Sequence, residues 1–165
     1  MRVREFQCEV WLPLPPDNVF RFFGEAANLN AITPSWLDFR IVSPQPIEMR
    51  AGTLIDYRLR VRGLPLRWRT LIKEWDPPYR FVDEQLRGPY RQWIHTHTFE
   101  SRDGGTLVRD AVKYVVPLDF ILHPLVVRPD IEKIFAFRTK ALQRTFGGQE
   151  EANCNHKKRS GKTTE

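Results

Sequence analysis

The chain has 165 residues, 41% of them hydrophobic, with a mean hydropathy of -0.46. That is enough for one domain with a single core, and no apolar run approaches the ~18 residues a membrane span requires. The net charge of +6 raises the question of nucleic acid, but the arginines are scattered along strand-like segments instead of forming runs, which argues against that partner. Met1-Arg2-Val3-Arg4-Glu5-Phe6 has no apolar run behind a basic start, so no secretory signal is read and a cytoplasmic location is expected.

Residues 3 to 12 alternate, with Phe6, Cys8, Val10 and Leu12 on one side and Glu5, Gln7, Glu9 and Trp11 on the other, the pattern of a half-buried strand. Pro13, Pro15 and Pro16 end it, and the segment from Asp17 to Phe23 reads as a short helix closed by Gly24. A helical turn is expected over 26 to 30 and a strand over 36 to 42. Residues 53 to 62 alternate again, Ile55, Tyr57, Leu59 and Val61 against Asp56, Arg58, Arg60 and Arg62. Turns at Gly63-Leu64-Pro65 and Asp76-Pro77-Pro78 then separate strands over 66 to 75 and 79 to 86, where Phe81, Asp83 and Gln85 share a face.

The densest chemistry lies in the next hairpin. Alternation over 91 to 101 puts Trp93, His95, His97 and Phe99 on one face. Asp103-Gly104 is a preferred centre for a two-residue turn with positive φ at both positions. Counting outward from that turn pairs Phe99 with Val108, His97 with Asp110, His95 with Val112 and Trp93 with Tyr114. A slip by one residue would turn Asp110 to the other face. After this hairpin Pro117, Pro124 and Pro129 mark an irregular link, and 129 to 146 has helical period, with Ile131, Ile134, Phe135, Ala141, Leu142 and Phe146 on one stripe. From Gly148 onward the only small apolar residue besides Cys154 is Ala152, so residues 148–165 are expected to be a disordered polar tail beyond a domain of residues 1–147. Cys8 on an inward strand position and Cys154 in that tail indicate neither a disulfide framework nor a thiolate zinc site.

Three stretches resemble the SRPBCC or START-like superfamily, which includes polyketide cyclases and coenzyme Q-binding proteins. They are Leu14-Pro15-Pro16-Asp17-Asn18-Val19-Phe20 with Asn28-Leu29 and Ile32-Thr33-Pro34-Ser35-Trp36-Leu37; Gly88-Pro89-Tyr90 with Trp93, His95, His97 and Phe99; and Phe135-Ala136-Phe137-Arg138 with Leu142 and Phe146-Gly147. They are similar to small ligand-binding members, including the domain some bacterial proteins carry beside an epimerase-like domain; no Gly-x-Gly-x-x-Gly run accompanies them here. The resemblance implies an α+β helix-grip fold, a curved antiparallel β-sheet wrapped around a long C-terminal helix with two short helices after the first strand. It also implies a cavity for a small, largely hydrophobic molecule or lipid.

Within such a cavity Tyr57, Trp68, Thr70, Phe81, Trp93, Tyr114 and Phe135 are candidate walls, and His95, His97, Asp110 and Arg138 candidate polar contacts. Arg138 keeps the spacing of the helix stripe and needs a partner, either a ligand carboxylate or an internal acid such as Asp110 or Asp83. Asp83 and Gln85 reach the histidines only with an odd-length or bulged connection. Two other chemistries are open to the same residues. His97, oriented by Asp110, could act as general base in a cyclase, dehydratase or hydrolase. His95 and His97 could offer nitrogens to a metal with Asp110 or Asp83, but no fourth ligand is evident, so neither metal nor cofactor is expected. Arg58, Arg60, Arg62, Arg67 and Arg69 form either a solvated sheet face or a strip for an anionic membrane surface.

Overall fold

The computed structural model describes residues 2–148 and 153–156. In chain order these form β1 (Arg4–Leu12), α1 (Pro16–Phe23), 3-10 turns at Ala26–Ile32 and Ser35–Leu37, β2 (Arg40–Ile41), β3 (Leu54–Val61), β4 (Leu64–Asp76), β5 (Arg80–Arg87), β6 (Gln92–Arg102) and β7 (Gly105–Val115). Then come α2 (Asp119–Leu122), a π turn (His123–Val127), α3 (Arg128–Phe146) and β8 (Asn153–His156). The strands make one antiparallel sheet in the order β2-β3-β4-β5-β6-β7-β1-β8, and the long C-terminal helical segment completes the helix-grip α+β fold.

The alternation in β1 becomes burial, since Phe6, Cys8, Val10 and Leu12 are all at most 3% exposed. Asp103 and Gly104 both adopt positive φ, at 50° and 75°, and the strands they join pair as the turn chemistry requires: Phe99 with Val108, His97 with Asp110, His95 with Val112 and Trp93 with Tyr114. Val10, Leu12, Val19, Phe20, Phe99, Val108 and Leu142 bring β1, α1, the hairpin and α3 into one core cluster. A second cluster joins Phe6, Val112 and Tyr114 to Ile131 and Phe135 of α3.

Four expectations are corrected. The strand expected over 36 to 42 shrinks to Arg40–Ile41, because Asp38 turns into the left-handed region (φ 40°) and closes the Ser35–Leu37 turn. The irregular link after Pro117 is mostly helical: Pro124 lies inside the π turn and Pro129 at the start of α3, where a missing N–H costs least. Of the tail, only 148 and 153–156 are described, and there Asn153–His156 pairs along β1 as an edge strand with Cys154 opposite Cys8. Those two cysteines are disulfide-linked, against the expectation of none. A four-residue polar strand carries no periodic signal, so neither the pairing nor the bridge could be read from composition.

At the end of the sheet near β8, the Tyr114 hydroxyl lies 2.9 Å from His123 Nε2, and Arg4 grips Asp119 through two bonds of 3.0 and 2.7 Å. Burial, with help from the Arg4 cation, pushes the His123 imidazole down from 6.5 to about 4. The unfolded chain therefore takes up a proton at His123 that the folded chain refuses, and the stability tied to this group is lost as pH falls from about 6.5 toward 4. Thermal melts across that window should show a falling midpoint, with a shallower slope in His123→Gln. An identical slope in the variant would mean that this burial does not set the acid response.

Candidate functional site

β5, β6 and β7 carry four ionisable side chains to the inner face of the sheet. Across β5 and β6, Phe81 pairs with His97 and Asp83 with His95; across β6 and β7, His97 pairs with Asp110. The connection from β5 to β6 is thus the odd-length one that puts Asp83 on the histidine face. The shortest aligned hydrogen bonds run along the diagonals of this ladder. His95 Nε2–H donates to Asp110 Oδ1 at 2.9 Å, and His97 Nε2–H donates to Asp83 Oδ2 at 2.9 Å. The expected partner of His97, Asp110, is also in contact, with His97 Nδ1 lying 2.8 Å from Asp110 Oδ1, but no aligned hydrogen bond forms there. His95 Nδ1 stands 3.7 Å from Asp83 Oδ2. Each imidazole therefore lies between the same two carboxylates, and their ring centroids are 3.8 Å apart.

Aromatic side chains hold this cluster in place. Phe81 stacks on His97 with centroids 4.0 Å apart and planes 16° from parallel, while Trp93 and Phe135 pack edge-on against His95. From α3, Arg138 reaches down so that its Nε is 3.6 Å from Asp110 Oδ2, with its guanidinium over the rings of Phe23 and Phe135. Arg138 thus has an internal acid as partner, one of the two alternatives its position allowed.

The electrostatics follow from burial. Burial alone would raise Asp110, but the Arg138 cation and the two imidazoles hold it well below the usual carboxylate range. Asp83 is likewise held low, chiefly by the His97 hydrogen bond against the penalty of burial. Burial and the neighbouring His97 depress His95, whereas at His97 the bonds and charges of Asp110 and Asp83 overcome burial and raise it. Two chemically identical side chains two residues apart are thus pushed in opposite directions.

This cluster forms the polar end of a cavity of about 200 Å³. Of the expected walls, Tyr57, Trp68, Thr70 and Phe81 line it, as do His95, His97, Asp83 and Arg138. Trp93, Tyr114 and Phe135 are not among its lining residues: Tyr114 is fully buried, and Trp93 packs against Trp68, Tyr90 and Tyr114. Gln85 also turns elsewhere, its amide donating to the Tyr90 carbonyl at 2.7 Å and accepting from Tyr90 N–H at 3.3 Å to hold the loop. A Cβ at Gly88 would fall 2.2 Å from that Gln85 amide oxygen, so a larger residue there would displace the Gln85 side chain and its bonds to Tyr90. The opposite wall comes from Phe22, Phe23, Leu29, Ile32, Phe39 and Met49 on α1, the first 3-10 turn and the following loops. These segments lack a long period, so only the motif around Asn28-Leu29 and Ile32 hinted at them. A separate groove of about 1050 Å³ runs between the β3–β4 corner and the start of α3, crossed by the paired Arg62 and Asp130 (3.0 Å). Among the basic strand residues, Arg69 is held by both oxygens of Asp56 and Arg60 by Asp38 at 3.5 Å.

Fold and site together define a helix-grip protein with a small internal cavity that ends in a buried His–Asp–Arg cluster. Residues 12–142 match the family described as polyketide cyclase / dehydrase and lipid transport, and the chain belongs to that family. No curated protein matches. Among solved structures it is similar to protein CV1439 from Chromobacterium violaceum (14% identity, TM-score 0.70, 88% of this chain and 98% of that one). It is also similar to major latex-like protein 151 from Panax ginseng (11%, 0.65, 88% and 98%). A nucleoside-diphosphate sugar epimerase from Corynebacterium glutamicum matches at 23% identity and TM-score 0.61 over 84% of this chain and 28% of its own. Among the described residues no helix is long and apolar enough to cross a membrane.

Removing one member of a buried ion pair strands the other. Asp110→Asn should therefore destabilise the fold by about 3 kcal/mol in urea unfolding at neutral pH, and adding Arg138→Met should recover part of that loss. Additive effects of the two changes would show that Arg138 and Asp110 are not coupled.

Proposed function

We propose that this protein binds a small, largely hydrophobic molecule in the cavity between the sheet and α3, with the molecule's polar group directed at Asp83, His95, His97 and Arg138. The observation that carries this reading is a cavity with largely apolar walls, from Phe22 and Phe23 to Ile55 and Ile72, in which the ionisable lining residues are Tyr57 and the cluster of Asp83, His95, His97 and Arg138. Burial of apolar ligand surface, at ~25 cal/mol per Å², supplies affinity; the polar end supplies orientation. The family description names lipid transport, which is in keeping with such a ligand. A lipid carrier working through the basic strand face is less well supported, because Arg60, Arg62 and Arg69 already have acidic partners.

The test is native mass spectrometry of freshly purified protein with extraction of any bound molecule, alongside titration with an environment-sensitive hydrophobic dye. Leu29→Trp, placed on the cavity wall, should weaken dye binding by roughly tenfold or more while leaving the melting transition cooperative. Equal affinity in both proteins would reject this cavity as the binding site.

A second reading, an enzyme of the cyclase or dehydratase kind, is favoured by one observation: the raised His97 beside the lowered His95 inside the cavity. In that reading His97 moves the proton and Asp110 orients it. His97→Ala and Asp110→Asn should then depress turnover of any substrate found by 10²-fold or more. Unchanged turnover, with altered affinity alone, would leave binding as the function.

A further inference from the structure

The two imidazoles pose a question of proton counting. Four ring nitrogens lie against two carboxylates: His95 Nε2 and His97 Nδ1 face Asp110 Oδ1 at 2.9 and 2.8 Å, while His97 Nε2 and His95 Nδ1 face Asp83 Oδ2 at 2.9 and 3.7 Å. With both imidazoles neutral and their N–H groups turned to Asp110, the two remaining ring lone pairs face Asp83. A divalent cation on the Asp83 side would resolve this arrangement. Both lone pairs would then be directed at the ion and both N–H groups at Asp110.

We propose that Asp83, His95 and His97 form a site for a divalent first-row transition ion of the zinc type, with Asp110 as the outer carboxylate that orients both histidines. The inference uses the same cavity as the ligand reading but does not need any ligand to be bound. Its geometry is that of an open three-ligand site. The three ligand atoms lie within 4.8 Å of one another, and the separations of 2.9 and 3.7 Å from Asp83 Oδ2 bracket the roughly 3.3 Å between neighbouring ligands around tetrahedral zinc. Two nitrogens and one carboxylate match the donor type such ions accept. All three side chains line the cavity, so the remaining coordination position faces the place where a ligand would sit. It would take a lone-pair donor such as a carbonyl, enolate or hydroxyl oxygen.

The surroundings fit the assignment. A metal-bound imidazole usually donates its far N–H to a carboxylate; His95 Nε2 already does so to Asp110 Oδ1 at 2.9 Å, and His97 Nδ1, unpartnered, lies 2.8 Å from the same oxygen, where its proton would move on metal binding. Its other oxygen faces Arg138 Nε at 3.6 Å, so Asp110 is fixed from behind and is not free to swing toward the ion. Phe81 and Phe135 pack on His97 and His95 and limit ring rotation.

The full-length protein, stripped with chelator, is titrated with cobalt(II) and read by its visible d–d absorption, then with zinc in competition with a chromophoric chelator. The expected result is one equivalent of cobalt giving the intense bands of a four- or five-coordinate site, displaced by one equivalent of zinc. Asp83→Asn and His95→Ala should each weaken zinc binding by at least 100-fold, and Asp110→Asn by 10- to 100-fold with the cobalt bands retained. Circular dichroism melts exclude variants that fail to fold, and the wild-type titration stands without them. No stoichiometric binding by the wild-type protein, or binding unchanged in folded Asp83→Asn, would overturn the site. Hydrophobic-dye binding measured with chelator present separates this outcome from the ligand reading: a dye that still binds keeps the cavity and removes only the metal.

Discussion

The pairing register between β6 and β7 is the constraint on which the site depends. Asp103 and Gly104 supply the two positive-φ positions of the turn, and from there the ladder places Asp110 opposite His97. Moving the ladder by one residue would expose Val108, Asp110 and Val112 and turn Arg109 and Ala111 inward, so the apolar core and the polar site enforce the same alignment. The tight turn, the core and the carboxylate are thus not separable features. Anything that shifts the hairpin loses hydrophobic burial and the Asp110 contacts together.

β5 adds the second carboxylate, and the α3 helix adds the cation. Neither acid is costly once these partners are present, since each buried charge meets an opposite charge or an N–H within 4 Å. The cluster sits among Phe23, Phe81 and Phe135, whose low-dielectric surroundings strengthen the interactions inside. The same shell makes partial dismantling expensive. The sheet and α3 are joined by this polar contact in the middle of a hydrophobic layer in which Ile131, Phe135 and Leu142 pack on the sheet.

Much of the fold and part of the site were legible in the sequence, and the boundary between what was and was not has physical causes. Strict two-residue alternation in β1, β3 and β6, and the Asp-Gly turn, are local signals that survive into the structure unchanged. The Arg138 position followed from helical spacing and the cost of an unpaired guanidinium. Whether Asp83 would join the histidines depended on the length of the β5–β6 connection, which periodicity does not report; Gly88 and the Gln85–Tyr90 bonds shape it through contacts within the loop. Trp93, Tyr114 and Phe135 share the inner face with the histidines, yet they are taken up by packing, since facing inward does not distinguish a cavity wall from closed core. The opposite wall comes from short turns and loops whose sequences have no period to read. The β8 pairing lies far from β1 in the chain and is made by polar residues, so only long-range geometry reveals it.

The division of labour in the cavity bears on which molecules it can tell apart. Apolar walls reward any greasy ligand by area and discriminate poorly between them, because one methylene more or less changes little. The polar end discriminates by what it lacks. Asp83 and Asp110 already accept hydrogen bonds from the histidines, whereas the Arg138 Nε–H has no aligned acceptor and its nearest carboxylate oxygen is 3.6 Å away. A guanidinium carries five donors in a fixed fork, so the unmet demand at this end of the cavity is for acceptors. A ligand with a carbonyl or ether oxygen there answers that demand. On the binding reading, selection at this site would act on the kind of polar atom at the ligand's buried end, while the walls would set its size.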